Sequence, residues 1–297
     1  MKLKTRQRKQ LLLIGAGVLV LLTAVLLVCL GGWRQGSHTS DRHTDTFDED
    51  IRLLDLFREN GGRLDLYGGI SGLPEANPYG PEDFTVNEQG FMTCLAGESV
   101  IGIDVSVYQQ SIDWEQVRAA GVAFVFIRVG GRGYGEEGRL YTDSRAQEHY
   151  AGAKAAGLRV GAYFFSQATT VEEAVEEAQF ALEQVKDWEL DLPMVYDWEY
   201  VSQTARTANV DARTLTNCTL AFCRQIEQAG LQAMVYFNWK QSQDLLYMEE
   251  LTDYPFWLAY YSQEMTYPFR VDFWQYTCTG SVPGIEGNVD INIYLPS

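Results

Sequence analysis

The chain of 297 residues carries 40 acidic and 23 basic side chains, a formal net charge of −17. Five of the basic residues precede residue 11, so the rest of the chain is more acidic still. We therefore expect no binding of nucleic acid or anionic lipid through a general basic surface, and a partner must be held by stacking and hydrogen bonds.

The first thirty residues predict a membrane anchor. Residues 1–10 are basic and lack acids, and the twenty residues 11–30 carry no charge. A helix of that length spans about 30 Å, and the basic flank places the N-terminus in the cytoplasm. We expect a single transmembrane helix at 11–30 in the cell membrane, with everything after it outside. A cleaved signal peptide is the alternative, although its apolar core is usually only about 7–15 residues long.

Residues 31–97 are predicted to form an extracytoplasmic stalk and a membrane-proximal extension. Residues 31–45 are polar, and residues 48–59 have the apolar spacing of a short amphipathic helix. Residues 61–97 are rich in Gly, Pro and Asn, which is typical of turns and short strands.

The five cysteines give no metal-binding pattern. Cys29 lies in the predicted membrane span, and the other four could pair in three ways. Cys218 and Cys223 lie five residues apart on a predicted helix and are poorly placed to bond each other, so we favour buried free thiols. No Cys-x-x-Cys motif or histidine cluster occurs, and we expect neither a metal nor a cofactor.

From residue 98 to residue 297 the pattern alternates between strands and helices. Eight apolar runs are predicted strands: 100–105, 124–129, 160–165, 194–198, 233–237, 257–261, 272–276 and 289–293. Helices are predicted at 114–120, 144–156, 171–188 and 214–229, and none is clear between the last three strands. This order predicts an α/β fold, an irregular TIM-like (β/α) barrel with helix-poor final strands.

Four acids fall at or near the C-terminal ends of predicted strands, where a βα barrel carries its functional groups. Asp197 and Glu199 end the fourth strand two residues apart, so they point the same way with Cα atoms about 6.6 Å apart. Asp104 lies in the first strand and Asp290 in the eighth, which barrel closure brings together. Like charges in proximity raise at least one pKa, so one acid could stay protonated near neutral pH. For each acid taken alone, the alternative is that it lies at the end of a strand and is exposed to water, with no role in function.

A series of motifs resembles a known family. They are Gly-Ile-Asp-Val-Ser at 102–106, the segment 113–122, Val-Gly-Ala-Tyr-Phe-Phe at 160–165, Tyr-Asp-Trp-Glu at 196–199, Phe-Trp-Leu-Ala-Tyr-Tyr at 256–261, Trp-Gln-Tyr-Thr at 274–277 and the segment 284–292. In this order and spacing they resemble family 25 glycoside hydrolases, the N-acetylmuramidases often called lysozymes, over about residues 98–297. The resemblance implies an irregular βα barrel that hydrolyses the β-1,4 bond between N-acetylmuramic acid and N-acetylglucosamine in peptidoglycan.

The resemblance also implies roles for single residues. Glu199 would be the general acid, and Asp197 would orient the substrate acetamide or stabilise the transition state. Asp104 and Asp290 would complete the acidic cluster and tune its pKa values. Side chains near the strand ends are candidates for glycan binding, and these are Tyr163, Phe165, Tyr236, Trp257, Tyr260, Trp274 and Gln275. Many members have His where this chain has Phe164, and we expect Phe164 to face the helices.

Two other functions remain open at this stage. One is a peptidoglycan-binding protein of the same fold without turnover, although all four acids are present. The other is a barrel glycosidase that acts on chitin-like chains, although such enzymes carry a longer Asp-rich run before the Glu. We expect a monomer whose partners are peptidoglycan glycan strands and, through residues 11–30, the membrane.

Overall fold

A computed structural model describes residues 74–296 of the chain. The predicted cytoplasmic tail, the membrane span with Cys29, the helix at 48–59 and the rest of residues 31–73 lie outside these described residues. Within residues 74–296, no helix combines the length and the apolar character that crossing a membrane requires.

The described residues form strands and helices that we number in chain order. The strands are β1 (Phe84–Val86), β2 (Met92–Cys94), β3 (Val100–Val105), β4 (Phe124–Arg132), β5 (Leu140–Thr142), β6 (Arg159–Ser166), β7 (Met194–Trp198), β8 (Ala233–Asn238), β9 (Phe256–Ala259), β10 (Phe273–Gly280) and β11 (Val289–Tyr294). The α-helices are α1 (Trp114–Ala119), α2 (Ala146–Ala155), α3 (Val171–Val185), α4 (Ala212–Gln228) and α5 (Trp239–Asp244). Short 3-10 helices lie at Pro81–Asp83, Val107–Gln109 and Met248–Glu250.

Eight of these strands close into a barrel. Their order is β3-β11-β10-β9-β8-β7-β6-β4, and β4 pairs with β3 to complete the ring. Neighbouring strands are parallel except at β11, which runs antiparallel to both β10 and β3. No α-helix lies between β9 and β10 or between β10 and β11. The predicted irregular α/β barrel with helix-poor final strands is therefore confirmed.

The helices begin and end where local chemistry sets their limits. The side chains of Asp113, Thr170 and Asp211 accept a hydrogen bond from the backbone N–H three residues on, and thereby cap α1, α3 and α4. Gly157 and Gly230 follow α2 and α4 with φ of 77° and 83°, a conformation that favours glycine. α3 ends at Val185 rather than at the predicted Trp188, which instead stacks on Tyr150.

Two elements, β5 and α5, were not predicted from the sequence. β4 continues past residue 129 to Arg132, and its extension pairs with β5 in an antiparallel hairpin. β5 has only three residues, and α5 has six mostly polar ones, so neither shows a clear period of 2 or 3.6.

The barrel has separate inner and outer apolar layers. Inward side chains from β4, β9 and β10 fill the interior with aromatic rings, and Phe126 stacks on Trp257 with ring centroids 4.7 Å apart. Glycines opposite these rings make room for them. A Cβ atom at Gly161 would lie 2.3 Å from the Phe126 ring, and one at Gly102 would lie 2.2 Å from the Phe124 ring. Phe164 faces outward to Phe180 of α3 and Phe222 of α4, as expected.

The described part of the predicted extension packs against the helix-poor side of the barrel. The hairpin β1–β2 is antiparallel, and Phe84 meets Trp274 of β10 edge to face with centroids 5.2 Å apart. Before the hairpin, the backbone of Ala76 bridges to Phe269. The extension thus covers an outer face of the barrel that no helix covers.

Three of the cysteines are free thiols, as expected. Cys218 and Cys223 are buried in α4, and Cys94 is partly exposed at the end of β2. Burial raises the pKa of the Cys218 thiol to about 12, so it remains protonated and packs as an apolar side chain.

Gly161→Ala tests the packing of the inner layer. The new methyl group would overlap the Phe126 ring, so the ring must shift inside a closed barrel. We expect a loss of about 1–3 kcal/mol, or about 3–10 °C in the thermal unfolding midpoint. Gly135→Ala is the matched control, because a Cβ atom there meets nothing within 4 Å. Equal midpoints for the two variants would contradict the close approach.

Candidate active site

The barrel interior becomes polar at the end where the parallel strands stop, which we call the mouth. Alternate residues of each strand point inward, and the last inward layer consists of acids, amides, phenols and one guanidinium. This mouth layer comprises Asp104, Arg128, Tyr163, Asp197, Tyr236, Gln275, Asp290 and Asn292. All are within or beside strands, so the barrel itself holds them in place.

β7 brings Asp197 and Glu199 to the mouth. The intervening Trp198 turns away from the interior and donates from Nε1 to the backbone oxygen of Ala168 at 3.0 Å. Burial raises the pKa of Asp197 well above its usual range, and the negative charge of Glu199 raises it further. The two carboxyls therefore act on each other, as the alternation of side chains along a strand predicts.

Asp104 and Asp290 lie directly opposite each other on β3 and β11. Asp290 was predicted at or near the C-terminal end of its strand, but it is the second residue of β11. β11 runs antiparallel to its neighbours, and so its beginning lies at the mouth. The direction of this one strand completes the acidic cluster.

Two side-chain amides hold Asp104. Gln275 Nε2 and Asn292 Nδ2 each donate to Asp104 Oδ2 at 2.8 Å. Flipping either amide would break a second hydrogen bond. Trp257 Nε1 donates to Asn292 Oδ1 at 2.8 Å, and the Tyr261 hydroxyl donates to Gln275 Oε1 at 3.0 Å. Both amide nitrogens are therefore directed at the carboxylate.

The two amide donors favour the ionised form of Asp104. Burial raises its pKa to about 6, and the two amide donors oppose that rise. Burial also raises the pKa of Glu199, which the Tyr236 hydroxyl lowers and the charge of Asp104 raises. For Asp290, burial and then the charge of Asp104 raise the pKa well above its usual range. Within the cluster, the amides thus favour the ionised form of Asp104, and burial favours the protonated forms of Glu199, Asp197 and Asp290.

Asp197 has an unused hydrogen-bonding atom. Its Oδ1 is buried and has no hydrogen-bond partner within the part of the chain that the structure describes. A buried polar atom without a partner costs free energy, so this oxygen is available to a ligand donor in the mouth. Residues 74–296 contain no cluster of three or more His, Cys, Asp or Glu side chains suited to a metal ion, and we assign no metal or cofactor ligand.

The predicted glycan-binding aromatics fall into different places. Tyr163 and Tyr236 belong to the mouth layer, and Phe165 is partly exposed next to Asp197 on the neighbouring strand. Trp257 lies below that layer and is 1% exposed. Trp274 points out of the barrel, is fully buried, and donates from Nε1 to the backbone oxygen of Tyr260 at 2.7 Å.

These positions distinguish the aromatic rings that a sugar could contact from those that are buried and support the site. Neither Trp257 nor Trp274 offers a ring face to a ligand in this structure, and we do not carry them forward as sugar contacts. Tyr260 packs against Trp239 at 4.8 Å and bonds through its hydroxyl to Thr266, away from the acids. Gln275 acts on Asp104. Tyr261, which is 43% exposed and bonds to Gln275, is instead an exposed ring at the mouth.

A buried ion pair at the mouth was not predicted from the sequence. Arg128 Nε donates to Asp143 Oδ2 at 2.8 Å, and Arg128 lowers the otherwise raised pKa values of Asp197 and Glu199. An arginine inside the apolar run 124–129 was a visible signal. Its partner lies 15 residues away beyond β5, so the pair could not be identified from local pattern.

Two buried glutamines fix the backbone that carries Glu199. Gln241 Nε2 donates to the backbone oxygen of Trp198 at 2.6 Å, and Gln167 Nε2 donates to that of Glu199 at 2.7 Å. Gln167 is itself held, because the Thr207 hydroxyl donates to its Oε1 at 3.1 Å. The consecutive backbone carbonyls of Trp198 and Glu199, at the end of β7, are thus each held by a glutamine side chain.

Asp197→Asn tests the burial of the acids through stability. Because the pKa of Asp197 lies well above the 3.8 of an ordinary aspartate, folding at neutral pH takes up a proton that the unfolded chain lacks. The wild-type protein is therefore penalised as pH rises above about 4, and asparagine removes the penalty. We expect the variant to be more stable by on the order of 1–3 kcal/mol at pH 7, with the gain vanishing near pH 3.5.

Chemical denaturation at several pH values measures this difference. Asp253→Asn, at an exposed surface position, should change stability little at either pH. A stability gain at Asp197 that did not depend on pH, or a loss at neutral pH, would contradict the account.

Comparison with known proteins places this geometry in a family. The sequence model for "Glycosyl hydrolases family 25" matches residues 103–285, which include Asp104, Asp197 and Glu199. Lysozyme M1 of Streptomyces globisporus is 27% identical over 234 residues, which cover 75% of this chain and 73% of that protein.

Solved structures share the fold. The bacterial lysozyme from Streptomyces coelicolor is 27% identical, with a TM-score of 0.52 over 67% of this chain and 94% of that one. The modular autolysin LytC from Streptococcus pneumoniae, solved with a synthetic peptidoglycan ligand, is 22% identical, with a TM-score of 0.61 over 71% of this chain. This chain spans about half (52%) of LytC, and at that identity the likeness concerns the fold. The family model covers more than half of the sequence, and the chain therefore belongs to glycosyl hydrolases family 25, as a glycosidase of the lysozyme type.

Proposed function

We propose that this protein hydrolyses the β-1,4 bond between N-acetylmuramic acid and N-acetylglucosamine in peptidoglycan, with Glu199 as the general acid. The observation that carries the assignment is the burial of Glu199 in one cluster with Asp104, because burial and the charge of Asp104 both raise the pKa of Glu199. Glycosidic cleavage needs an acid that still holds its proton at working pH and can give it to the leaving oxygen.

The protonation states follow from the environment of each acid. Burial favours the neutral form of Glu199, and the charge on Asp104 favours it further. When Glu199 gives its proton to the departing sugar, Arg128 and the Tyr236 hydroxyl stabilise the new carboxylate, since both lower its pKa. The site thus favours the protonated acid before cleavage and supports the anion after it.

Asp197 is proposed to act on the sugar whose bond is broken. Its unpartnered Oδ1 can accept the N–H of the 2-acetamido group, a donor that both peptidoglycan sugars carry. That bond would hold the acetamide beside the anomeric carbon, where its carbonyl oxygen can stabilise or attack the developing positive charge. Asp104 and Asp290 keep the cluster in the required charge state.

The remaining contacts are assigned by position. Tyr163, Tyr236 and Phe165 face the interior at the mouth, and Tyr261 exposes its ring there. We assign these four as contacts for the glycan strand. Gln275 and Asn292 donate to Asp104, and Trp257 orients Asn292, which makes these three residues supports of the site.

The N-terminal sequence suggests where this reaction takes place. We propose that residues 11–30 form an uncleaved transmembrane anchor and that the catalytic domain, acting as a monomer, lies outside the cell membrane. This rests on the uncharged run and its basic flank. A tether limits reach, so the substrate would be the cell's own wall.

Glu199→Gln tests the acid assignment. The amide keeps the shape of the side chain but cannot donate a proton to the leaving oxygen, so we expect release of reducing ends from purified peptidoglycan to fall at least about a hundredfold. Mass spectrometry of wild-type digests should find N-acetylmuramic acid at the new reducing ends.

Glu189→Gln is the matched control, since Glu189 is exposed and its own backbone N–H makes its hydrogen bond to Tyr150. Undiminished cleavage by Glu199→Gln would refute the assignment of the acid. N-acetylglucosamine at the new reducing ends would refute the assignment of the bond.

Gln241→Met tests the clamp on the backbone. The variant loses the donor to the Trp198 carbonyl, so Glu199 is held less firmly relative to the leaving oxygen. We expect kcat to fall about tenfold while KM changes less than about twofold. Gln228→Met, at an exposed position in α4, should change neither. Unchanged kcat, with both variants folded, would argue against the clamp.

A further inference from the structure

Arg128 is a rigid, buried cation in the mouth layer. The residue is 9% exposed, and its Nε donates to Asp143 Oδ2 at 2.8 Å. Asp143 is fixed in turn, because it accepts the backbone N–H groups of Val107 and Arg145, each at 3.0 Å. The Tyr108 ring lies beneath the guanidinium, 5.2 Å from its carbon. A guanidinium held in this way keeps one orientation.

The terminal amino groups of Arg128 are available to a ligand. Among the described residues, neither Nη atom donates a hydrogen bond to the protein, since the contact of the side chain with Asp143 is through Nε. Neither belongs to the buried polar atoms that lack partners, so solvent reaches them. The open end of the guanidinium therefore faces the mouth with its donors unused.

The surrounding charge makes such a cation necessary for an acidic ligand. Asp104, Asp197, Glu199 and Asp290 all line the mouth, and a ligand carboxylate there would be repelled by the ionised Asp104 and by any of the other three that loses its proton. Arg128 is the cation whose charge acts on Asp197 and Glu199 within the described part of the chain. Its planar pair of amino groups matches the two oxygens of a carboxylate.

We propose that Arg128 is a substrate-recognition residue that binds the lactyl group of N-acetylmuramic acid. This sugar differs from N-acetylglucosamine by a lactyl ether, whose terminal carbonyl is a carboxylate when free and an amide when it bears a peptide. Either form presents an acceptor oxygen to the open amino groups of Arg128. The inference rests on the proposed function, and it explains how a strongly acidic mouth admits an acidic sugar.

A second role for the same residue must be separated from recognition. Arg128 also acts as a counter-ion, since it lowers the pKa values of Asp197 and Glu199 that burial raises. Loss of that effect would shift the alkaline limb of the pH–activity profile to higher pH with every substrate. Recognition of the lactyl group, in contrast, changes only the preference between substrates with and without the carboxylate.

The test compares two glycan strands that differ in one group. Peptide-free strands with the lactyl carboxylate are compared with strands in which that carboxylate has been reduced to an alcohol. Affinity for each is measured by calorimetry in a Glu199→Gln background, so that cleavage is not required. We expect the carboxylate strands to bind about 10–100-fold more tightly. Adding Arg128→Met should reduce the preference to less than about twofold, and Arg128→Lys should retain part of it.

Arg159→Met is the matched control. Arg159 also lies over a tyrosine ring, 5.6 Å from the centroid of Tyr294, but it begins β6 at the opposite end of the barrel. This variant should keep the full preference. A preference that survives Arg128→Met, or an absence of preference before Arg128 is changed, would overturn the proposal. A normal preference in the Glu199→Gln background, together with no cleavage of either strand by the wild-type protein, would instead count against the proposed hydrolysis.

Discussion

The site depends on the hydrogen bonds that join Asp104 to Gln275 and Asn292. These bonds link three adjacent strands at the point where the barrel closes, and both amides are directed by further donors behind them. They allow one carboxylate to remain charged in a buried place. Without that charge, the pKa of Glu199 would lose one of the two effects that raise it. The closure of the barrel and the chemistry at its mouth thus share the same contacts.

The buried acidic cluster lowers the stability of the folded protein at neutral pH, because its environment favours the protonated acids. Asp197 and Asp290 are both buried with raised pKa values, and at neutral pH the unfolded chain would leave them ionised. The packed aromatic rings below the mouth and the glutamine hydrogen bonds to the backbone around Glu199 keep the site rigid despite this loss of stability. Arg128 limits the accumulation of negative charge while leaving two amino groups open to a ligand. Binding of a sugar that carries a carboxylate, as proposed above, would use both properties together.

Much of this architecture could be predicted from the sequence, and the exceptions have physical reasons. The strands 100–105 and 194–198 match in both bounds, because each is a mainly apolar run with polar or turn residues on either side. The neighbouring positions of Asp104 and Asp290 followed from closure of the barrel. The direction of β11 did not, since a short apolar strand has the same pattern when read either way. Arg128 was conspicuous in its strand, but its partner depended on a hairpin too short to predict. The burial of Trp257 and Trp274 could not be predicted either, because a count of aromatic residues does not indicate the depth of each ring.

In the proposed mechanism, Glu199 keeps its proton at pH values above the ordinary pKa of a glutamate. The most direct measurement is a pH titration of the Glu199 carboxyl carbon by NMR, with 13C-labelled glutamate and with Glu199→Gln to assign the signal. We predict a midpoint clearly above the usual 4.5, shifted by burial and by the charge of Asp104. A midpoint at or below 4.5 would contradict the account, because Glu199 would then have no proton to give near neutral pH.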